Sequence, residues 1–390
     1  MKICLVHNSY GAYSGEEAVV AGQEQMLLEA GHKVVSFTKT SEGLNQSAMK
    51  KIDAFFSGIY SRKSKREFEQ FLKVEKPDVI NIHNLYPLIS PSILSVGYEA
   101  GIPIVMTVHN VRLICPNGLF FTHGEICEKC SEGKEYWCVL KNCEQNLMKS
   151  TGYALRAAFA RITKMYQKYV TLYTCLTRFQ RNKLISAGYP KEKMVILSNF
   201  SRQPEVDVEY NGGEYIGFVG RISPEKGIPN ILRAAQKIPD IPFKFAGNYE
   251  RMKKLIEKAP PNAEFVGPLG QDELDVFYAN IRILVLASEC YESFPLVLTE
   301  AMYRKIPVIS SWYGGLSDIV IDGSTGLLVK PQSSKDLATQ IKYLWEKPDL
   351  CKKFGEEGYQ RAMKKYTPAV YIKYLMLIYE RAITERNSKL

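Results

Sequence analysis

The sequence predicts an α/β protein built from two Rossmann-like, doubly wound domains that face each other across a cleft. Three observations support this class. Short apolar runs alternate with helix-like stretches, which is typical of parallel sheets covered by helices on both faces. The alternation stops once, over residues 199–214, and then resumes. The length of 390 residues also exceeds what one hydrophobic core usually supports.

Five candidate strands occupy the N-terminal half, and each is apolar on both faces, as buried parallel strands tend to be. In order, they are KICLVHN, HKVVSFT, PDVINIHN, IPIVMTVHN and TLYTCLT. The first is followed by the loop SYGAYSG and then by a stretch with helical spacing that ends at Gly31. These elements predict a first domain over residues 1–200, with a cysteine-rich insertion at residues 115–143.

The segment 199–214 is rich in proline, glycine and polar residues, and we interpret it as an interdomain linker. After it, the strands YIGFVG, FKFAG, AEFVG, ILVLAS, PVISS and GLLVK alternate with helices, the first beginning at about Ile228. They predict a second domain over residues 201–367. The last stretch, residues 368–390, is predicted to be an amphipathic helix that packs back toward the N-terminal domain.

The composition excludes two broad classes. With 46% hydrophobic and 24% charged residues, the chain is neither disordered nor membrane-spanning. No apolar run reaches the roughly 20 residues of a spanning helix, and the N-terminus meets a glycine too early for a signal peptide. We therefore expect a cytoplasmic protein, and the odd count of nine cysteines fits a reducing compartment.

Positive charge is concentrated in the N-terminal half, where residues 1–200 hold 25 Lys and Arg against 17 Asp and Glu. Residues 145–191 contain nine Lys or Arg and no acidic residue, which favours an anionic partner. Within residues 150–169, a predicted helix separates apolar side chains from cations. The apolar ones are Leu155, Phe159, Ile162, Tyr166 and Tyr169, and the cations are Arg156, Arg161, Lys164 and Lys168. A membrane-surface helix and a core-packed helix with a basic outer face both fit this pattern.

Two cations follow the first strand of the C-terminal half. In FVGRISPEKG (218–227), Arg221, a Ser-Pro-Glu turn and Lys226 precede a helix start. Backbone N–H groups and the dipole at a helix N-terminus attract anions, and Arg and Lys could clamp a diphosphate beside them. The alternative is a solvated turn that carries two surface charges.

Two glutamates, Glu292 and Glu300, stand eight residues apart in ASECYESFPLVLTEAM (287–302). Ser293 is expected to cap a helix whose first turn contains Pro295, so that the helix begins between the glutamates. Carboxylate oxygens accept hydrogen bonds well from sugar hydroxyls. A surface glutamate followed by an ordinary helix glutamate is the alternative.

Together these motifs resemble the donor domain of the retaining glycosyltransferases of family 4, which have the GT-B fold. The resemblance rests on FVGRISPEKG, SECYESFPLVLTEAM and PVISSWYGGLSDIVIDGSTGLLV. In the N-terminal half, NSYGAYSGEEAVV, VINIHNLYPLISPSI and MTVHNVRLICPNGLFF are similar to a branch associated with bacterial surface polysaccharides. The resemblance covers nearly the whole chain.

The resemblance implies which residues bind the donor, a nucleotide-diphosphate sugar. Arg221 and Lys226 would hold the pyrophosphate, and Glu300 would bind the ribose. Gly15 matches a glycine that lets the backbone approach the phosphates. The chain departs from the family pattern here, because the usual pair of glycines is Ser14-Gly15.

The resemblance also implies a catalytic group. Glu292 would lie beside the hydroxyls of the donor sugar, helped by the backbone of Phe294 and Leu296. His109, at the end of the strand IPIVMTVH, matches a histidine that contacts the donor sugar. Its strand-end position and the family match distinguish it from His83. A structural histidine at a strand end is the alternative.

The mechanism that the resemblance implies is transfer of a hexose with retention at the anomeric carbon. The nucleoside diphosphate would leave with its charge stabilised by Arg221, Lys226 and helix N-termini, and a leaving phosphate oxygen would serve as base. No D-x-D sequence follows a strand, so we expect catalysis without a metal or other cofactor. A glycan or lipid-linked acceptor of capsule, exopolysaccharide or O-antigen synthesis would place the protein on the inner face of the plasma membrane.

The insertion predicts a structural zinc site. Its ligands would be Cys127, Cys130, Cys138 and Cys143, with Cys115 and His123 nearby. The segment has little apolar content with which to fold by itself, which is the usual reason for a metal. Reduced thiols without a ligand are the alternative.

Two other classes compete with an enzyme. The first is a pseudoenzyme that binds nucleotide sugars as a partner subunit, and the intact Arg221, Lys226, Glu292 and Glu300 argue against it. The second is a basic, zinc-containing nucleic-acid-binding protein, which leaves both glutamates unexplained and for which stacked aromatics between cations in an open groove are not evident. We therefore expect no nucleic-acid partner.

Overall fold

The computed structural model describes residues 1–10, 14–42, 48–204 and 210–388, and the side chains of residues 48–53 and 251 lie outside the described part. The chain divides into two compact units. The N-terminal unit comprises Met1–Thr122, Cys127–Ser198 and Tyr371–Leu390, and the C-terminal unit comprises His123–Ile126 and Asn199–Val370. The C-terminal helix is thus divided, and most of it is grouped with the N-terminal unit.

The N-terminal unit is built on a six-stranded parallel sheet in the order β2-β1-β3-β4-β7-β8. Its strands are β1 (Lys2–Ser9), β2 (Lys33–Thr40), β3 (Val79–Asn84), β4 (Ile104–Val108), β7 (Leu172–Cys175) and β8 (Met194–Ile196). Two short strands, β5 (Phe121–Thr122) and β6 (Glu125–Ile126), lie in the cysteine-rich insertion.

Helices pack against this sheet and against one another. They are α1 (Gly15–Glu29), α2 (Ala48–Ile59), α3 (Arg62–Glu75), α4 (Ser92–Glu99), α5 (Tyr136–Leu140), α6 (Leu147–Thr163), α7 (Met165–Tyr169), α8 (Arg178–Ser186) and, from Tyr371 onward, α16 (Pro368–Asn387). A large core cluster joins strand residues such as Val6 and Ile82 to Phe68 of α3 and Tyr166 of α7. Burial of these apolar side chains is the main stabilising contribution in this unit.

The C-terminal unit has a second six-stranded parallel sheet, in the order β11-β10-β9-β12-β13-β14. Its strands are β9 (Tyr215–Val219), β10 (Phe243–Ala246), β11 (Ala263–Gly267), β12 (Ile281–Leu286), β13 (Val308–Ser311) and β14 (Gly326–Val329). Its helices are α9 (Ile228–Ala235), α10 (Lys253–Ile256), α11 (Gln271–Ala279), α12 (Leu296–Tyr303), α13 (Leu316–Ile319), α14 (Ser334–Trp345) and α15 (Pro348–Lys365).

Strand order reverses beside the first strand of each sheet. Strand β1 lies between β2 and β3, and β9 lies between β10 and β12. Open α/β sheets bind ligands outside the carboxyl ends of their strands, at such a reversal. The residues that follow β1, β3, β9 and β12 are therefore the first candidates for ligand contacts.

The structure confirms the predicted fold class, and every predicted strand corresponds to a strand of one of the two sheets. Strand β8 was missed, because three residues are too few to produce a recognisable pattern. Strand β2 differs from the prediction of burial on both faces. It lies at the edge of its sheet, and its side chains alternate between exposed and half-buried.

Segment 150–169 contradicts the predicted single helix. Helix α6 ends at Thr163, Lys164 adopts a left-handed conformation with φ of 49°, and α7 begins a new helical axis at Met165. Residues on either side of the break therefore do not share one face. Tyr166 is buried, whereas Leu155 and Ile162 are 47% and 70% exposed.

The buried face of α6 contains a cation that was predicted to point away from the core. Arg156 is buried, and its guanidinium carbon lies 4.0 Å from the ring centroid of Tyr86 and 4.3 Å from that of Tyr153. It donates a hydrogen bond to the carbonyl of Pro116 at 2.9 Å. Stacking and this hydrogen bond offset the cost of burying the charge. None of the helices within the described ranges is long and apolar enough to cross a membrane.

A buried polar network attaches helix α16 to the sheet of the N-terminal unit. The hydroxyl of Tyr371 donates to Oε1 of Gln23 at 2.6 Å, and the hydroxyl of Tyr379 donates to Oδ1 of Asn81 at 2.7 Å. Nε2 of Gln23 donates to the same Oδ1 at 2.7 Å, and Nδ2 of Asn81 donates to Oγ1 of Thr107 at 3.1 Å. Every member is buried, so the network specifies the position of the helix as well as stabilising it.

Tyr379→Phe should therefore lower the free energy of unfolding by about 1 kcal/mol, the net value of one buried hydrogen bond. Tyr374→Phe is the matched control, because Tyr374 is on the same helix but 52% exposed. Urea denaturation of both variants checks this prediction. Equal losses in the two variants would show that the network does not hold the helix.

Candidate donor site

The loop after β9 brings two cations to the carboxyl edge of the C-terminal sheet. Pro224–Lys226 form a short 3-10 turn, and α9 begins at Ile228. Between them, Gly227 has φ of 75°, and a Cβ at this position would lie 2.0 Å from the carbonyl oxygen of Ala287. Only glycine fits this close approach, which places the turn against the end of β12.

Lys226 and Glu292 form an ion pair at this edge. Nζ of Lys226 lies 2.5 Å from Oε1 of Glu292, and the same oxygen accepts a hydrogen bond from Oγ of Ser288 at 2.7 Å. The two side chains are only 20% and 12% exposed. Burial by itself lowers the pKa of Lys226 and raises that of Glu292, but their mutual attraction outweighs it. The pKa of Lys226 is raised and that of Glu292 is lowered, so both groups stay charged.

A second glycine turn holds the backbone of Glu292. The N–H of Gly315 donates to the carbonyl of Glu292 at 2.7 Å. Gly314 has φ of 63°, and a Cβ at this position would come within 2.8 Å of the backbone nitrogen and oxygen of Glu292. Gly314 in SSWYGG is therefore required for this close approach.

Arg221 differs from Lys226 in its surroundings. Its Nη2 lies 2.7 Å from Oε1 of Glu225, and its side chain is 61% exposed. An exposed ion pair of this kind contributes little to stability. The guanidinium is consequently available to an incoming anion, whereas the ammonium of Lys226 is shared with Glu292.

Glu300 lies on α12, and its Oε2 accepts a hydrogen bond from the hydroxyl of Tyr278 at 2.7 Å. Burial raises the pKa of Glu300, although Tyr278 and the nearby Arg304 oppose the rise. The guanidinium of Arg304 also lies 4.6 Å from the centroid of the Tyr278 ring. Sequence reasoning missed Tyr278, because a tyrosine near the end of α11 has no local pattern that points to Glu300.

The turn before α12 differs from the prediction. The helix begins at Leu296, with Pro295 at the capping position and no side-chain cap. The expectation that Ser293 caps this helix is therefore wrong. The side chain of Phe294 is buried and packs edge-on against Tyr366, with ring centroids 5.4 Å apart. Phe294 can thus meet a ligand only through its backbone.

The loop between β1 and α1 shows why this chain has Ser14-Gly15 where the family usually has two glycines. Ser14 is the N-cap of α1, and its hydroxyl accepts a hydrogen bond from the N–H of Glu17 at 3.3 Å. Gly15 is the first residue of the helix. Serine at the first position therefore satisfies a backbone donor that glycine would leave to solvent. Residues 11–13 of the same loop lie outside the described residues.

The histidines of the N-terminal sheet lie together at its carboxyl edge. Nδ1 of His83 is 2.9 Å from Nε2 of His109, and the ring of His7 lies edge-on to His83 at 6.4 Å. Burial, together with the neighbouring histidines, lowers the pKa of His83 and His109. The sequence singled out His109, whereas the structure places His83 in direct contact with it.

The cysteine-rich insertion gathers its thiols around one small cavity. The cavity is lined in part by Cys115, Cys127, Cys130, Cys138 and Cys143. Within the described ranges, however, no group of three or more His, Cys, Asp or Glu side chains could hold a metal ion. The structure therefore does not support the zinc site predicted at Cys127, Cys130, Cys138 and Cys143.

The cysteines instead form part of a small core. Cys130 and Cys138 are buried with Ala154, and Trp137 and Cys143 pack against them. Burial, together with the neighbouring Cys115, Cys143 and Cys127, raises the pKa of Cys130 to about 12, so this thiol is protonated at neutral pH. Protonated thiols in this setting behave as small apolar side chains.

A cavity of about 580 Å³ lies elsewhere in the N-terminal unit. It lies between α3 and α4, and its lining includes Lys76 and Pro77 before β3 and Ile102 before β4. This is the amino edge of the sheet, opposite to the edge that binds ligands in open α/β folds. We therefore locate the candidate site by its charged residues and not by the volume of this cavity.

Two parallel sheets, with paired charges at the carboxyl edge of one of them, define a two-domain α/β protein suited to phosphorylated ligands. Comparison with known families identifies the domains. Residues 13–200 match Glycosyltransferase Family 4, and residues 199–361 match Glycosyl transferases group 1. The chain therefore carries two glycosyltransferase domains that together run from residue 13 to residue 361.

Individual relatives agree with these families. An uncharacterised glycosyltransferase of Methanocaldococcus jannaschii is 31% identical over 196 residues, which are 49% of this chain and 54% of the relative. CapM of Staphylococcus aureus, a capsular polysaccharide biosynthesis glycosyltransferase, is 23% identical over 235 residues, or 54% of this chain and 61% of CapM. The chain thus matches between half and two thirds of the length of these curated relatives.

A solved structure supports the fold. The crystal structure of Alr3699/HepE from Anabaena, in complex with UDP and glucose, aligns with a TM-score of 0.64 and 18% identity over 100% of both chains. This similarity supports the GT-B architecture that the sequence predicts.

Lys226→Met should destabilise the C-terminal unit, because it leaves the carboxylate of Glu292 largely buried without its cation. We expect a loss of about 2–4 kcal/mol, somewhat below the value for fully buried pairs. The double variant Lys226→Met/Glu292→Gln should recover most of this loss, since neither charge remains. Urea denaturation measures both. The ion pair is not the relevant interaction if the single and double variants are equally unstable.

Proposed function

We propose that this protein is a retaining glycosyltransferase that moves a hexose from a nucleotide-diphosphate sugar to a hydroxyl of a glycan or lipid-linked acceptor. The observation that carries the proposal is the Lys226–Glu292 ion pair at the carboxyl edge of the C-terminal sheet. The two glycosyltransferase family matches support it. UDP and glucose in the HepE crystal, and the role of CapM in capsular polysaccharide biosynthesis, favour a UDP-sugar donor and a surface polysaccharide as product.

The donor would be held by groups with different tasks. Arg221 is exposed, and it can exchange Glu225 for a phosphate without a large desolvation cost. Lys226 is held in place by Glu292, so its charge is pre-organised and loses little conformational entropy on binding. Glu300 would accept hydrogen bonds from the ribose, with Tyr278 holding the carboxylate.

The donor sugar would meet a second set of groups. We propose that Glu292 accepts hydrogen bonds from its hydroxyls through the carboxylate oxygen that Lys226 does not occupy. The backbone of Phe294 and Leu296 at the start of α12 would add N–H donors. Gly15 and His109 would contribute from the N-terminal unit, Gly15 at the phosphates and His109 at the sugar.

In this mechanism the nucleoside diphosphate departs as charge accumulates on its leaving oxygen. Arg221 and Lys226 stabilise that charge. The acceptor hydroxyl attacks from the same face and gives its proton to the leaving phosphate oxygen. Retention and independence from divalent metal are both parts of the proposal.

A membrane-proximal acceptor fits the surface of α6. Met148, Leu155 and Ile162 are exposed at 54%, 47% and 70%, and they recur every seven residues on one side of the helix. Exposed Lys149 and Lys164 accompany them, and residues 145–191 contain no acidic residue. Apolar side chains surrounded by cations favour an anionic lipid surface. We propose that this side of α6 rests on the inner face of the plasma membrane.

The first test is turnover. Purified protein incubated with a panel of nucleotide sugars should release nucleoside diphosphate slowly from one of them in the presence of EDTA. Arg221→Ala and Lys226→Ala should each weaken donor binding at least tenfold, since each removes a charge-assisted contact of about 1.5–3 kcal/mol. Lys237→Ala, an exposed cation after α9, is the control. Turnover within threefold of wild type in both variants would show that the donor site is misplaced.

The same assay separates the competing classes. A pseudoenzyme would bind a nucleotide sugar without releasing the diphosphate, and a nucleic-acid-binding protein would do neither.

The second test is membrane binding. The protein should sediment with vesicles of anionic lipid, but not with vesicles of neutral lipid, at low salt. Leu155→Ser/Ile162→Ser should reduce this binding at least tenfold, because a full transfer of each side chain contributes roughly 1.5–3 kcal/mol and only the exposed parts of the two side chains, 47% and 70%, can be transferred. Val276→Ser, which changes a 65% exposed side chain in the C-terminal unit, is the control. Equal binding to both kinds of vesicle argues against the proposal.

A further inference from the structure

We propose that His83 is a positioning residue that fixes the tautomer of His109, so that His109 presents its Nδ1–H to the substrate as a hydrogen-bond donor. The inference rests on the proposed function, in which His109 contacts the donor sugar. The inference gives a role to His83, which the proposed mechanism does not use, and it places a proton on Nδ1 of His109.

The geometry of the pair is that of a direct hydrogen bond between two rings. His83 lies on β3 and His109 follows β4, which is its parallel neighbour in the sheet. Nδ1 of His83 is 2.9 Å from Nε2 of His109, within the usual range for a hydrogen bond. The ring centroids are 5.2 Å apart and the ring planes are inclined by only 22°, so the two rings lie end to end and nearly coplanar, as an in-plane N–H···N bond requires.

The two rings share one proton along this contact. Burial lowers the pKa of His83 well below its ordinary value and lowers the pKa of His109 to about 3. Both imidazoles are therefore neutral near pH 7, and each carries one N–H. The ring that donates to the other determines the tautomer of both.

The surroundings of His83 favour one of the two arrangements. Nε2 of His83 is buried and has no hydrogen-bond partner within the described ranges. If His109 donated, the proton of His83 would lie on this Nε2 as a buried N–H without an acceptor, and such groups are rarer than unsatisfied acceptors. If His83 donates through Nδ1, its Nε2 is a bare acceptor. His109 then accepts at Nε2 and carries its own proton on Nδ1.

This arrangement has a functional consequence. In water, the Nε2–H tautomer of neutral histidine predominates, so a ring without the contact would present an acceptor at Nδ1 for most of the time. Donation from His83 reverses that preference. A positioned N–H can then donate to an oxygen of the sugar or of the departing phosphate, whereas a bare nitrogen cannot.

The experiment uses the full chain labelled with ¹⁵N on histidine. Long-range ¹H–¹⁵N spectra distinguish Nδ1–H from Nε2–H rings, and His109→Gln assigns the signal of His109. In the wild type, His109 should be protonated at Nδ1. His83→Leu should move the proton largely to Nε2 and lower kcat for nucleotide-sugar hydrolysis about tenfold, with KM within twofold. His83→Asn should restore most of both, because the amide nitrogen of asparagine can occupy the place of Nδ1 and donate.

Thr107→Val is the matched control. Thr107 is buried on β4 and accepts a hydrogen bond from Asn81, so its loss costs stability without touching His109. In this variant, the tautomer of His109 and the value of kcat should both be the same as in the wild type. An equal fall in kcat with Thr107→Val would indicate general destabilisation and overturn the inference.

Two further results would overturn it: wild-type His109 protonated at Nε2, or an unchanged tautomer in His83→Leu. Both results come from the ¹H–¹⁵N spectra, which are recorded without substrate. If wild-type protein turns over no nucleotide sugar, the proposed function fails, but the spectra still decide whether His83 sets the tautomer.

Discussion

The strands of the two six-stranded sheets run parallel, and this constraint determines where each unit can carry out chemistry. It collects the carboxyl ends of the strands on one edge, together with whatever side chains follow them. In the N-terminal unit these include His7, His83 and His109. In the C-terminal unit they include Lys226 and Glu292, which are 66 residues apart in sequence and in direct contact. The same strands pack apolar side chains into the cores, so the constraint that builds each unit also places its polar groups.

A charged side chain that is largely buried at the edge of an apolar sheet needs an opposite charge or a hydrogen-bond donor beside it. In the C-terminal unit, residues of the same unit provide both. Lys226 and Glu292 neutralise each other, and Ser288 donates to the same carboxylate. The glycines at 227 and 314 permit the close backbone approach that this needs. Without a partner, either charge would be expensive to bury. The glycine in the turn before α9 lets that turn approach the end of β12, and the glycine in the turn after β13 lets that turn approach the backbone of Glu292, so both turns help to place the pair.

The sequence was sufficient to predict the fold class and the strands, because buried parallel strands leave apolar runs that need no tertiary information. It was also sufficient to select Lys226 and Glu292 as functional candidates. It could not show that they pair, that Tyr278 holds Glu300 or that His83 contacts His109, because those contacts join distant strands and helices. Its main errors were also tertiary. The helical pattern over 150–169 did not reveal the break at Lys164, and the cysteine spacings did not reveal that the thiols pack as an apolar core.

The two edges differ in how they treat charge, and this difference argues for a division of tasks. The edge of the C-terminal unit keeps full charges by pairing them, which suits a phosphorylated ligand that can exchange with Glu225 or share Lys226. The histidines at the edge of the N-terminal unit stay neutral instead, although, against the effect of burial, the pKa of Arg112 in the loop after β4 is raised by Tyr10 and Glu16 and its guanidinium stays charged. Burial holds the pKa of His109 at about 3 and raises that of Glu16 to about 7. Neutral imidazoles attract a phosphate weakly but hydrogen-bond well to hydroxyls. The paired charges of the C-terminal unit therefore suit an anionic group, and the neutral imidazoles of the N-terminal unit suit uncharged hydroxyls.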